Sequence, residues 1–110
     1  MMHLVWEGVT RKEDLRIMQF EGEELGVLTI CYDEFETRGI VFRVFRMMDG
    51  RILIHKFAWE YPPVALESWE REQDRIPTTA EPWALVYVFS DIESAAGAGF
   101  HGVLEKLNLV

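Results

Sequence analysis

The sequence predicts an α+β fold. A mostly antiparallel sheet of four to five strands surrounds a central β-hairpin. A short helix follows the hairpin, then a last buried strand and a C-terminal helix. Three observations carry this. Asp49-Gly50 sits between two apolar, aromatic runs, a strong short-range hairpin signal. Tyr61-Pro62-Pro63 ends the second run, because proline cannot donate to a ladder. Ser90-Asp91-Ile92-Glu93 matches a capping box directly after the uniformly apolar run Trp83–Phe89.

Each element follows from its composition. Leu15 to Phe20 alternates partially and reads as a strand, with Glu21-Gly22-Glu23-Glu24 as a turn. Leu25 to Tyr32 is rich in Val, Leu, Thr and Ile and reads as a second strand. Residues 33–37 form an acidic connection. Ile40 to Met47 and Ile52 to Trp59 are the hairpin strands. Val64 to Arg75 reads as the short helix, with Pro63 near its first position. A proline-bounded loop spans 76–82. Trp83 to Phe89 has no polar alternation and reads as buried on both faces. Beyond it, Ile92, Ala96, Phe100, Val103 and Leu107 fall on one helical stripe. Gly97 and Gly99 predict a break in that helix, since each glycine costs about 1 kcal/mol relative to alanine.

At 110 residues the chain reads as a single domain, 1–110, able to bury a core without staples. A lone cysteine, Cys31, excludes an internal disulfide, which points to a cytoplasmic setting. Cys31 itself lies in an apolar run and reads as a small buried hydrophobe. The first residues lack the basic and long apolar regions of a signal peptide, and no run approaches a membrane span.

Charge is distributed unevenly. Residues 38–57 hold Arg38, Arg43, Arg46, Arg51 and Lys56 against Asp49 alone, a net +4 inside a chain of net −8. If Asp49-Gly50 forms a two-residue loop, Met48 opposes Arg51, Val44 opposes His55, Phe42 opposes Phe57 and Ile40 opposes Trp59. Arg43 then stands opposite Lys56. Like charges in that position destabilise a sheet by about 0.2–1 kcal/mol, so something must compensate. Acids of the same chain supply one answer and an acidic partner group the other. The candidate partner-binding set is therefore Arg43, Lys56, Arg46, Arg51, Phe42, Phe57, Trp59 and His55.

Other motifs carry less. Gly97-Ala98-Gly99-Phe100-His101-Gly102 matches G-x-G-x-x-G, but it stands away from the preceding strand and only eight residues follow it. A dinucleotide unit does not fit there. His3, His55 and His101 show no metal-ligand spacing. The acids at 21–24 and 33–36 lack the offsets of a calcium loop. No catalytic set, cofactor or metal is expected. The expected function is a small acidic non-enzymatic binding or regulatory protein acting through protein–protein contacts, with a homodimer as one form. Nucleic-acid or nucleotide binding through the basic aromatic hairpin, 40–59, is the alternative, disfavoured by the acidic flanks. A small enzyme with its site at an oligomer interface is the third class.

Overall fold

A computed structural model describes residues 1–9, 16–31, 38–60 and 83–110. The expected helix at 64–75, the loop at 76–82 and the acidic connection at 33–37 lie outside the described residues. Five strands form an antiparallel sheet in chain order: β1 (Met2–Val9), β2 (Arg16–Cys31), β3 (Arg38–Met47), β4 (Ile52–Glu60) and β5 (Trp83–Phe89). The C-terminal helix follows as α1 (Ile92–Ala95), a π-helical turn (Ala96–Phe100) and α2 (His101–Lys106). The α+β class and the central hairpin stand as expected.

The strand composition differs from the sequence reading in three ways. Residues 21–24 do not turn. β2 continues through them as one strand, pairing first with β1 (Met2↔Glu21 to Glu7↔Arg16) and then with β3 (Gly22↔Met47 to Cys31↔Gly39). A register shift between Glu24 and Gly26 absorbs the irregularity as a bulge instead. The N-terminal segment, whose composition carries no strand signal of its own, is β1. β5 is a strand as expected but only partly buried, with Leu85 and Val88 exposed.

The hairpin register is shifted by one from expectation. Arg43 faces His55, Phe42 faces Lys56 and Val44 faces Ile54. The Gly50 N–H donates to the Met47 carbonyl at 2.9 Å, and the Met47 N–H donates to Arg51 O at 2.8 Å. The loop is thus three residues, 48–50. Gly50 alone takes the left-handed region there, at φ 91. Asp49 keeps a negative φ and accepts from the Arg51 N–H at 3.1 Å. The expected Arg43–Lys56 opposition does not exist.

This register sorts the core. Phe42, Val44, Ile52 and Ile54 face the C-terminal helix and pack with Ala95 and Leu104. Phe45 and Leu53 face the opposite way, where Val5 and Phe20 cover them. The predicted stripe Ile92, Ala96, Phe100, Val103 and Leu107 all packs against the first cluster. Its N-cap is Asp91, one residue later than the capping box placed it. The Asp91 carboxylate accepts from the Ser94 N–H at 2.7 Å. The expected break is a kink at Gly99, with φ 109. Cys31 is exposed, not buried. It ends β2, and its neighbour Ile30 takes the place against the helix-side core.

The path closes on itself where β1 pairs with β5 through Gly8↔Ala84 and Val9↔Trp83. Every neighbouring pair in this ring is antiparallel. An odd ring of straight antiparallel strands cannot close, because each pairing reverses direction. A strand must therefore turn within itself. The bulge in β2 and Gly8 in β1, at φ 128, are the irregularities on that path.

Gly22 sits where β2 passes from one partner to the other. A Cβ there would collide with the backbone carbonyl of Arg46. Gly22→Ala should therefore cost about 1–3 kcal/mol in denaturant unfolding. Gly102→Ala, in α2 with open space around it, should be neutral or stabilising by up to about 1 kcal/mol. A Gly22→Ala protein of unchanged stability would contradict the close β2–β3 approach.

Candidate functional site

Three of the hairpin's cations, Arg43, Arg46 and Arg51, are held by acids of the same chain. Arg43 Nη2 lies 2.9 Å from Glu24 Oε2, and its guanidinium carbon sits 5.0 Å from the Phe45 ring centroid. Arg46 Nη1 lies 3.8 Å from Glu23 Oε1, across a directly opposed pair of β2 and β3. Arg51 Nε lies 2.6 Å from Asp49 Oδ2, a clamp within the turn. Lys56 places its ammonium 5.7 Å from the Phe42 ring and 5.6 Å from the Trp83 ring. Cation–π contact of this kind holds a lysine stem against aromatic surface.

The aromatic members of the predicted set separate. Phe42 is buried in the helix-side core, its ring edge-on to Phe100. Phe57 lies on the other face, beside His55 and Trp6. Trp59 stands in β4 opposite Gly39, and its side chain lies outside the described residues. The predicted residues therefore do not form one surface.

His55 is 2% exposed, the one buried polar side chain among the described residues. Its Nε2 lies 2.8 Å from the Trp6 carbonyl, so Nε2 carries the proton and donates. Nδ1 is buried without a hydrogen-bond partner. Burial holds the imidazole below the ordinary histidine value of 6.5. The Trp6 hydrogen bond opposes this, the Arg43 charge adds to it, and Glu7 opposes it. Glu7 also accepts from the Val86 N–H at 3.0 Å. His55 and Glu7 thus bridge β1 to β4 and β5 next to its short backbone pairing with β5.

One surface was missed by sequence reasoning. In the β1–β2 register, Met2, Leu4 and Ile17 share the face turned away from Val5 and Phe20. They are 54%, 62% and 74% exposed. The exposed Met1 and Met48 are bonded through their backbones at the end where Met2 stands, Met1 by its carbonyl to the Gly22 N–H and Met48 by its N–H to the Glu21 carbonyl. The near-continuous apolar run Met1 to Trp6 concealed the alternation that would have marked the face. No group of His, Cys, Asp or Glu able to hold a metal occurs among the described residues. No helix of the described residues is long and apolar enough to cross a membrane. Compared with protein-family models, curated proteins and solved structures, the chain matches none.

The Arg43–Glu24 pair is about one-third exposed on each side, so it should contribute modestly. A double-mutant cycle with Arg43→Met and Glu24→Gln should give a coupling of about 0.2–1 kcal/mol in urea unfolding. A coupling indistinguishable from zero would remove Glu24 as the acid that compensates Arg43.

Proposed function

We propose that this protein is a non-enzymatic binding module whose contact surface is the Met1, Met2, Leu4, Ile17 and Met48 patch. The carrying observation is that Met2, Leu4 and Ile17, all exposed, share one face of the β1–β2 pair, with exposed Met1 and Met48 bonded through their backbones at its Glu21–Gly22 end. Contiguous apolar patches mark interaction sites. Methionine makes such surfaces adaptable, because its unbranched, polarisable side chain refits to different partners. Exposed Glu21 and Glu23 lie beside the patch, and the whole chain carries −8. Both favour a protein partner that is neutral or basic around its own apolar contact.

The basic hairpin supports this role less well than the sequence alone implied. Arg43, Arg46 and Arg51 each have a carboxylate within 4 Å, which a phosphate backbone would have to displace. A lone cysteine favours a reducing cytoplasmic setting. Self-association through the same patch would bring two −8 chains together, so a different protein is the favoured partner.

Site-specific photo-crosslinkers at Leu4 and Ile17, tested in host extract against one at Glu105, check the reading. Leu4 and Ile17 should give the same adduct and Glu105 none. Leu4→Asp with Ile17→Asp should abolish that adduct with little change in melting temperature, since both side chains are exposed. Adducts of equal yield from all three positions, or adducts that survive the double substitution, would discard the proposed surface. A dimer of this chain as the sole adduct would replace the foreign partner with a second copy.

A further inference from the structure

His55 is fully enclosed yet makes a single hydrogen bond, and that bond crosses to a different strand. The strand it reaches, β1, closes the ring against β5. Among the described residues β1 holds β5 by two register pairs, Gly8↔Ala84 and Val9↔Trp83. Beside them, side chains replace the backbone ladder: His55 donates to the Trp6 carbonyl and Glu7 accepts from the Val86 N–H. We propose that this β1–β5 seam is an acid-sensitive latch, closed by neutral His55 and released when Nδ1 takes up a proton from solvent.

The surroundings decide what a second ring proton does. Nδ1 has no acceptor, so its new N–H would be buried and unpaired. The imidazolium would face Arg43 directly across the β3–β4 ladder. Glu24 of β2 already engages that guanidinium. From β1, Glu7 is the attracting charge, and it is engaged with Val86. His3, also on β1 and on the interior face, is separately tied to the Gly22 carbonyl at 3.1 Å and packs on Phe45. In β5 the residues on this face, Ala84, Val86 and Val88, carry no charge. Lys56 and Tyr87 belong to the opposite face. Two reliefs exist. The seam parts and the ring reaches water, or Glu7 leaves Val86 to pair with the imidazolium. Both strip the Val86 N–H of its acceptor.

The sign follows from the lowered value. Below pH 6.5 the open state, with its histidine at the ordinary value, binds the proton that the closed state resists. Closure is therefore complete above pH 6.5 and weakens as pH falls, until the lowered value of the closed state is reached. In that window one proton changes the closed–open ratio by about tenfold per pH unit.

Amide hydrogen exchange on the full chain, expressed as protection factors so that intrinsic pH dependence cancels, tests the latch. Val86 should lose protection by about tenfold per pH unit below 6.5, while Met47 in the hairpin and Leu109 after the helix keep theirs. His55→Gln retains a donor for Trp6 but cannot titrate, and should flatten the Val86 response. His3→Gln should leave it intact. The His55 ring resonances, followed by NMR in the unsubstituted protein, should titrate with the same midpoint as Val86 protection. That measurement decides the matter even if His55→Gln does not fold. Loss of protection that survives His55→Gln, that follows His3, that affects all amides together, or that departs from the His55 midpoint would overturn the proposal.

Discussion

The three-residue turn at 48–50 is the constraint on which the rest of the molecule depends. Side chains alternate across a strand, so a shift of one residue in pairing exchanges the two faces of one strand relative to the other. Because Gly50 alone adopts a positive φ, Met47 pairs with Arg51 and every later pair follows. Phe42 and Val44 then share a face with Ile54 and meet the C-terminal helix. Phe45 shares the other with Leu53 and His55. Under a two-residue turn, Val44 would share its face with His55. A titratable ring would then enter the helix-side core and Ile54 would leave it.

A second constraint is the odd number of strands. Five antiparallel pairings close only if a strand bends and changes partner along its length, and β2 changes partner from β1 in its first part to β3 in its second. Gly22 permits the closest approach on that path, and the bulge at Glu24–Gly26 takes up the change of register. The consequence appears at the other end of the ring. Among the described residues β1 meets β5 over two residue pairs, beside which His55 bonds the Trp6 carbonyl and Glu7 accepts from the Val86 N–H. A buried histidine whose Nδ1 lacks a partner costs about 1–3 kcal/mol. Its bond to Trp6 and its tilted packing on Phe57 offset part of that.

What the sequence made legible follows from the range of the signals. The hairpin, the last strand and the helical stripe were readable because each is specified by neighbours a few residues apart. The kink near Gly99 was readable for the same reason. The two missed features are non-local. Residues 21–24 carry three glutamates and a glycine, a turn-like composition. Their pairing with Met1 and Met47 across the sheet overrides it. β1 has no polar alternation, and only its partners show that Val5 faces in and Leu4 faces out. The exposed apolar face was invisible for that reason, and so was the enclosure of His55 by a strand 49 residues away.

The basic hairpin takes a different meaning once the register is known. Its charge excess over the flanks is a fact of composition, yet charge acts through distance. Glu23 and Glu24 belong to the acidic N-terminal third of the chain, and β2 carries them alongside Arg46 and Arg43. Asp49 neutralises Arg51 from within the turn. The segregation seen along the sequence is therefore undone by the sheet, which interleaves an acidic strand with a basic one. Cross-strand pairs of opposite charge favour the correct neighbour and penalise like-charged mispairings. For β2, whose run of glutamates would pair poorly against another acidic strand, a basic β3 is an electrostatic guide to its place in the sheet. Arg43, Arg46 and Arg51 are explained by the carboxylates they lie against in the fold, while Met2, Leu4 and Ile17 share an exposed face of the β1–β2 pair.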